Sequence, residues 1–259
     1  MMSGSFIMAG GLNLYYAQAG SGPAVVYIHG NTGSSLWYSK AMDLPGRTCY
    51  ALDLPNFGRS DPMPGDVDLF RYAESVSAFI EALGLEKPLV VGHSLGGAVA
   101  QALAVSSPGI ANGLVLVDSA APSGLKTPRD RYPLIEMMRT DRAFLSKALA
   151  ATVPTLKDPS LFEALVDDAL RMAEKAWIGN AEALSAFDIS GKTQDLDLPV
   201  CVIWGKLDYI VTEAMARETA QAYAGARLEI LDGVGHSVLV EDPGRFLAIL
   251  GDFASKIGQ

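Results

Sequence analysis

The residues best suited to chemistry in this sequence are a serine set between two glycines and a small number of histidines. The segment Gly92-His93-Ser94-Leu95-Gly96 fits the pattern G-x-S-x-G, follows the apolar run "PLVV" and precedes a helical pattern. A sharp turn from strand to helix strains the backbone and lifts the serine Oγ out of the sheet, and the glycines leave room for the crossing. The positive end of the helix then points at the serine. This context predicts Ser94 as a nucleophile.

A nucleophilic serine needs a base, and the base needs an acid that orients it. The chain has three histidines, His29, His93 and His236. Neighbouring side chains on a turning backbone point apart, so His93 does not easily reach Ser94, and the sequence assigns it no role. His236 lies on a loop between a predicted strand and the last helix, at the sheet edge where sites form in open parallel sheets. We therefore predict His236 as the base.

Two aspartates compete for the part of the orienting acid. Asp208 follows the apolar run "PVCVIW", and Asp118 directly follows the run "GLVLV". We favour Asp208, and the resulting chain order Ser94, Asp208, His236 is the order that accompanies a G-x-S-x-G turn. Asp118 remains the rival acid.

Composition narrows the class of protein and of partner. The chain has 259 residues, 49% hydrophobic and 19% charged, which suits one large α/β domain. Its net charge is −9 and no cluster of Lys and Arg stands out, so we expect no nucleic-acid partner and no anionic membrane partner. No targeting segment and no long apolar run is evident, and the expected location is the cytoplasm. We expect a small neutral or apolar molecule as substrate and leave the oligomeric state open.

The cysteines do not suggest redox or metal chemistry. Cys49 and Cys201 lie in strand-like apolar runs, where free cysteines are commonly buried. Two cysteines form no disulfide framework and no metal site. We predict no metal and no organic cofactor.

Short apolar runs alternate with helical segments along most of the chain. Strands are predicted at 12–18, 24–28, 48–54, 88–91, 113–117, 199–204 and 227–231, and helices at 68–85, 94–107, 213–223 and 242–257. Repeated alternation of strand and helix predicts an α/β fold with a mostly parallel, twisted sheet of roughly eight strands and helices on both faces.

One region interrupts this alternation. It contains four segments of helical pattern and no convincing strand: "YPLIEMMRT", "DRAFLSKALAATV", "SLFEALVDDALRMAEKAW" and "NAEALSAF". We predict an α/β core formed by 1–121 and 198–259, and a helical cap formed by 122–197. A cap rich in Leu and Met over the site would exclude water and select apolar substrates.

Several segments together resemble the α/β-hydrolase fold family, and the resemblance runs nearly from end to end. "YIHGNTGSS" (27–35) is similar to the family's strand followed by His-Gly. "LDLPNFGRSD" (52–61) is similar to its D-x-x-G-x-G-x-S-D segment, with Asn56 where glycine is usual. "WGKLD" and "GVGHSVLVEDP" resemble the segments that carry the acid and the histidine. These motifs are specific for the family and are poor guides to the substrate.

The resemblance implies a serine hydrolase that cleaves carboxylic esters or lactones through an acyl-enzyme on Ser94. In the family, the residue after His-Gly and the residue after the nucleophile donate N–H groups to the oxyanion; here these are Asn31 and Leu95. We expect His29 to brace the oxyanion loop. Aromatic side chains are the candidates for a substrate pocket: Trp37, Trp177, Phe187 and Tyr209.

The same fold also serves other functions. A C–C bond hydrolase of ring-cleavage products uses the same triad but usually carries Asn before the nucleophile and Arg before the acid, where this chain has His93 and Lys206, so it ranks second. A haloalkane dehalogenase needs a carboxylate nucleophile next to a halide-binding Trp, which Ser94 and Leu95 do not provide. Haloperoxidase chemistry would be a side activity of the same serine. Outside enzymes, the alternative is a non-catalytic ligand-binding receptor.

Overall fold

The computed structural model describes residues 3–257, and within them eight strands form one sheet. The strands are β1 (Ser3–Ala9), β2 (Leu12–Gly20), β3 (Ala24–Ile28), β4 (Thr48–Leu52), β5 (Leu89–His93), β6 (Gly113–Val117), β7 (Val200–Gly205) and β8 (Arg227–Leu231). Their order across the sheet is β1-β2-β4-β3-β5-β6-β7-β8. β1 pairs antiparallel with β2, and β2 with β4, whereas β4, β3 and β5 to β8 pair in parallel. The predicted mostly parallel sheet is confirmed.

Helices connect the strands. They are α1 (Leu69–Ala82), α2 (Leu95–Ser106), α3 (Tyr132–Thr140), α4 (Arg142–Thr152), α5 (Pro159–Ala169), α6 (Glu174–Ala186), α7 (Glu213–Gln221), α8 (Val238–Glu241) and α9 (Pro243–Lys256). Two short 3₁₀ helices lie at Ser35–Tyr38 and Arg129–Arg131. Helix α2 packs against β5 and β6, and Phe246 of α9 contacts Tyr27 of β3. Every residue of β5 and β6 is buried, which requires cover on both faces of the sheet.

The parallel strands bring four polar residues to one edge of the sheet. Ser94 follows β5, Asp118 follows β6, Asp208 comes shortly after β7, and His236 lies on the loop after β8. Because the carboxyl ends of parallel strands meet at the same edge, residues more than a hundred positions apart in sequence become neighbours there.

The region predicted as a cap holds helices α3 to α6, and among the described residues it adds no strand to the sheet. The segment 160–177, of helical pattern in the sequence, contains parts of two helices, because α5 ends at Ala169 and α6 begins at Glu174. In the break, the Ala173 N–H donates to the Asn56 carbonyl oxygen (2.8 Å), so a contact with the core ends the helical pattern. Helix α6 then continues through Gly179, where a Cβ would lie 2.8 Å from a methyl carbon of Val67. The division into core and cap remains a prediction.

The sequence reading missed the first strand. β1 pairs with β2 through a turn at Gly10 and Gly11, whose φ angles of 56° and 79° suit glycine. Most residues of β1 are exposed, so the strand carries little of the hydrophobic pattern by which strands are recognised. Residues 1 and 2 lie outside the described residues.

The part of the chain from 3 to 257 lacks two features. No helix there has the length and apolar character needed to cross a membrane. Nor do its His, Cys, Asp and Glu side chains gather in groups of three or more that could hold a metal ion. Both cysteines are buried and free.

Candidate active site

Ser94 lies at a strained turn between β5 and α2. Its φ of 53° and ψ of −117° fall in a region that side-chain-bearing residues rarely adopt, and its N–H donates to the Val117 carbonyl oxygen (2.9 Å). A Cβ on Gly92 would lie 2.3 Å from the Gly96 carbonyl oxygen, and a Cβ on Gly96 would lie 2.3 Å from the Ile28 carbonyl oxygen. Both glycines of the G-x-S-x-G pattern are therefore required by the close crossing of strand, helix and neighbouring strand.

The backbone around Ser94 offers two unpaired N–H groups. Leu95 is the first residue of α2, where N–H groups have no partner within the helix. Within residues 3–257, neither the Leu95 N–H nor the Asn31 N–H donates to a protein group. The Asn31 loop approaches closely, because a Cβ on Gly30 would lie 3.0 Å from the Ser94 Cβ. Two donors from neighbouring segments thus flank the serine.

His236 and Asp208 form a buried pair. The His236 Nδ1 lies 2.7 Å from the Asp208 Oδ2, and the Asp208 side chain is fully buried. The other carboxylate oxygen accepts the N–H groups of Ile210 (2.7 Å) and Val211 (3.1 Å), which fixes the carboxylate. Burial lowers the pKa of His236, but the hydrogen bond and charge of Asp208 outweigh it, so this pKa lies above the usual 6.5.

Ser94 and His236 line the same cavity of about 240 Å³. Asp208 holds Nδ1, and the other ring nitrogen of His236, Nε2, makes no hydrogen bond within residues 3–257. The hydrogen bonds of residues 3–257 do not include one between Ser94 Oγ and His236 Nε2. Catalytic contacts of this kind are often long before substrate binds and shorten in the complex.

Asp118, the rival acid, makes different contacts. Its Oδ1 accepts the Gly205 N–H (2.9 Å), and its buried Oδ2 has no partner among the described residues. Burial raises the pKa of Asp118 well above its usual value, although the neighbouring His236 opposes this shift. The structure therefore joins His236 to Asp208 and leaves Asp118 as a buried carboxyl on the adjacent strand.

His93, which the sequence left without a role, forms a hydrogen bond with the backbone of His236. Its Nε2 lies 2.8 Å from the carbonyl oxygen of His236, which can only accept, so Nε2 carries the proton. Its ring stacks on Trp37 with centroids 5.7 Å apart. Burial and the nearby His236 lower the pKa of His93 to about 3, so the ring is neutral at physiological pH. His93 is thus placed to hold the backbone of the histidine loop and not to accept a proton from Ser94.

His29 makes the contacts expected of a brace. The Leu54 N–H donates to its Nε2 (3.0 Å), which leaves the proton on Nδ1 to donate to the Gly30 carbonyl oxygen (2.8 Å). Burial lowers its pKa, which keeps the ring neutral. The ring thereby links the Asn31 loop to the chain after β4.

Glu241, which sequence reasoning passed over, ties the His236 loop to the turn that follows α4. Its carboxylate accepts N–H groups on both sides of the histidine, from Gly235 (3.1 Å) and Ser237 (3.1 Å). The same carboxylate accepts the hydroxyl (2.7 Å) and N–H (3.1 Å) of Thr155. The His236 N–H itself donates to the Thr152 carbonyl oxygen at the end of α4 (2.9 Å). The segment "GHSVLVE" contained this signal as an acid five residues after the histidine.

We expect Glu241→Gln to weaken both activity and stability. A glutamine offers one acceptor and adds donors where four donors converge, so the histidine loop loses charge-assisted hydrogen bonds worth about 1.5–3 kcal/mol each. Ester turnover should fall about tenfold and the thermal midpoint by several degrees. The exposed Glu74 on α1 offers a matched control, since Glu74→Gln should change neither value. Wild-type activity and melting in Glu241→Gln would show that the carboxylate has no such role.

The cavity over Ser94 is lined mainly by apolar side chains from α3, α4 and α6. Three of the aromatic residues predicted for a pocket line it: Trp37, Trp177 and the exposed Tyr209. Phe187, predicted for the same pocket, lies outside this lining and packs against Phe70 with centroids 6.1 Å apart. It follows the last residue of α6, and its buried side chain is directed into the packing beside α1.

The sequence is similar to known proteins over most of its length. The sequence matches the profile of the alpha/beta hydrolase family over residues 25–249, which is most of the chain. The chain belongs to this family. The predicted family membership is therefore confirmed, and the turn at Ser94 and the loop of His236 both lie within the matched range.

Relatives of this hydrolase include several with esterase names. It is 26% identical over 260 residues to a pimeloyl-[acyl-carrier protein] methyl ester esterase of Yersinia pseudotuberculosis, covering 94% of this chain and 98% of the relative. In structure it resembles an esterase from Exiguobacterium antarcticum (TM-score 0.89, 22% identity, 99% of this chain and 100% of the other). It also resembles the enol-lactonase from Burkholderia xenovorans LB400 (TM-score 0.87, 22% identity, 97% and 100%). The two structures show the shared fold.

Proposed function

We propose that this protein is a serine hydrolase that cleaves carboxylic esters or lactones of small, neutral, mostly apolar substrates. The observation that carries the proposal is that His236, whose Nδ1 lies 2.7 Å from the Asp208 Oδ2, lines the same cavity as the strained Ser94. A relative named as a methyl ester esterase and fold neighbours named as an esterase and an enol-lactonase support this reaction class.

The reaction proceeds through an acyl-enzyme. Ser94 Oγ attacks the carbonyl carbon of the ester while His236 Nε2 takes the hydroxyl proton, and Asp208 stabilises the resulting imidazolium. The oxyanion receives hydrogen bonds from the N–H groups of Asn31 and Leu95, each worth about 10²–10³ in rate. His236 returns the proton to the leaving alcohol, and the C–O bond breaks. The same histidine then activates a water that releases the acid and frees Ser94.

The cavity favours a neutral substrate. Among the described residues that line it there is no lysine, arginine, aspartate or glutamate. A carboxylate-bearing substrate would lose its hydration there without gaining a cationic partner, which is costly. Ring-cleavage dienoates carry such a carboxylate, so the C–C bond hydrolase is the weaker alternative. The apolar wall from α3, α4 and α6 suits an acyl or alkyl group and acts as the predicted cap.

A substrate panel tests this function. The purified protein is offered p-nitrophenyl acetate and butyrate, uncharged lactones and a ring-cleavage dienoate, and multiple turnover is measured for each. We expect turnover of the neutral esters or lactones and none of the dienoate. Preference for the dienoate would establish the C–C bond hydrolase, and binding without multiple turnover would establish a receptor.

We expect activity to fall as the pH drops through the pKa of His236, because the cationic imidazole cannot accept the serine proton. Asp208 holds that pKa above 6.5, so the midpoint of the acid limb of kcat/KM should lie above 6.5. His93, with a pKa of about 3, contributes nothing in this range. A rate profile of p-nitrophenyl butyrate hydrolysis from pH 5 to 9 measures the midpoint. A flat profile would rule out a histidine base.

A further inference from the structure

A buried chain of hydrogen bonds runs from the segment after β4 to the loop beside Ser94. The Met63 N–H donates to Asn56 Oδ1 (3.1 Å), and Asn56 Nδ2 donates to Tyr72 Oη (3.0 Å). The Tyr72 hydroxyl donates to Asn180 Oδ1 on α6 (3.0 Å), and Asn180 Nδ2 donates to Asn31 Oδ1 (2.8 Å). Asn56, Tyr72 and Asn180 are all buried to 2% exposure or less.

The direction of this chain is set at its first bond. A backbone N–H can only donate, so Met63 requires the oxygen of Asn56 on its side and turns the amide nitrogen toward Tyr72. The tyrosine has one hydroxyl hydrogen and must pass it on to Asn180 Oδ1. Asn180 then has only its amide nitrogen to offer Asn31, so Asn31 must accept this hydrogen bond with its Oδ1. Each amide is therefore locked in one of its two orientations.

The consequence appears at the cavity. Because Asn31 Oδ1 is engaged, its Nδ2 is the free end of the side chain, and this nitrogen donates to no group within residues 3–257. Asn31 lines the cavity beside Ser94. Its Nδ2 has no hydrogen-bond partner among the described residues, yet it is not fully buried. The amide nitrogen is thus an accessible donor at the site.

Asn56, the first asparagine in this series of hydrogen bonds, lies where the family usually has glycine. Asn56 has a φ of 73°, which explains the preference for glycine, and asparagine tolerates this conformation better than most residues. A glycine would satisfy the backbone but could neither accept from Met63 nor donate to Tyr72. The departure from the family pattern therefore supplies the link on which the orientation of Asn31 depends.

We propose that Asn31 Nδ2 donates a hydrogen bond to an oxygen of the ester bound over Ser94, in addition to the backbone N–H of Asn31. Asn180, Tyr72 and Asn56 are positioning residues that hold the amide in this orientation. The proposal rests on the proposed ester hydrolysis. It requires a substrate with an acceptor oxygen beside the scissile bond and adds no bond-making step.

A double-mutant cycle on p-nitrophenyl butyrate hydrolysis tests the link. We expect Asn31→Ala to lower kcat/KM about tenfold or more, in the range of a hydrogen bond to developing charge. Asn180→Leu, which removes the partner with little change of volume, should lower it several-fold. If Asn180 acts through Asn31, adding Asn180→Leu to Asn31→Ala should cause no further loss. Full additivity of the two losses, or an unchanged kcat/KM in Asn31→Ala, would overturn the proposal.

Tyr72→Phe tests the same link without truncating a cavity residue. Loss of the hydroxyl, which accepts from Asn56 and donates to Asn180, should reduce kcat/KM several-fold, because Asn180 is no longer held in one orientation. Tyr223→Phe is the matched control, because the buried Tyr223 hydroxyl donates to Gln101 Oε1 (3.3 Å) and takes no part in the hydrogen bonds that lead to Asn31. This variant should leave kcat/KM unchanged. Equal effects of the two variants would show a general cost of losing a buried hydroxyl and would overturn the link. Melting curves of all variants identify any that fail to fold.

Labelling with a fluorophosphonate separates this proposal from the proposed function. A wild-type protein that neither hydrolyses the ester nor is labelled at Ser94 would refute ester hydrolysis itself. A protein that is labelled and active, but insensitive to Asn31→Ala, keeps the hydrolase and loses the role of the Asn31 side chain.

Discussion

Replacement of Ser94 by alanine is expected to abolish turnover of p-nitrophenyl butyrate, with a loss on the order of 10⁴–10⁶ in kcat. The loss is large because the serine Oγ is the atom that forms the acyl-enzyme, and no other hydroxyl nucleophile stands at the turn into α2. The remaining parts of the site, the His236–Asp208 pair and the unpaired N–H groups, do not depend on the hydroxyl.

The fold of the Ser94→Ala protein should be unchanged. Alanine keeps the Cβ and meets the same positive φ as serine, so the backbone strain is the same in both proteins. Circular dichroism and the thermal midpoint should match the wild type, and fluorophosphonate labelling should disappear. Retained turnover in this variant, after exclusion of contaminating esterases, would place the chemistry elsewhere in the molecule.

Asp208→Asn is expected to be nearly as damaging, with a loss of about 10³–10⁴ in kcat. The substitution removes the charge that stabilises the His236 cation, and the neutral amide can hold the imidazole in the wrong tautomer. Any residual activity should show its acid limb at lower pH than in the wild type, because the charge that raises the pKa of His236 is gone.

Asp118→Asn serves as the matched comparison, since it makes the same chemical change on the neighbouring strand. The asparagine oxygen can still accept the Gly205 N–H, and burial already favours the neutral form of the Asp118 carboxyl. We expect kcat within a few-fold of the wild type. Measuring both variants on one ester decides the acid, and a larger loss in Asp118→Asn would assign it to the end of β6.

Much of the scaffold could be predicted because hydrophobic periodicity and glycine placement are local. The central strands and helix α1 follow from apolar runs within a few residues of each other. The exposed β1 and the break between α5 and α6 could not, because one lacks a buried pattern and the other depends on a bond between Ala173 and Asn56.

Contacts between distant segments were beyond the reach of the sequence. Phe187 is an aromatic residue of the kind expected in a substrate pocket, yet its position at the end of α6 directs its side chain toward Phe70. Glu241 would be expected from its residue type to be a solvated surface acid. In the structure its carboxylate accepts hydrogen bonds from Gly235, Ser237 and Thr155. Such roles depend on which residues the fold brings next to the side chain. Aromatic rings and hydrogen-bond donors are too common in a sequence to indicate which of them will be neighbours.

The sequence by itself determined the family, the sheet and the candidate nucleophile, because a strand, a tight glycine-flanked turn and a helix are adjacent in the chain at Ser94. Only the tertiary structure decided what surrounds the serine. Parallel strands bring His236 and Asp208 into contact, while the neighbour His93 turns its Nε2 to the backbone of His236 and stays neutral. The physical reason is that a strained turn is specified by local sterics, whereas proton transfer depends on distances between segments that only the folded sheet sets.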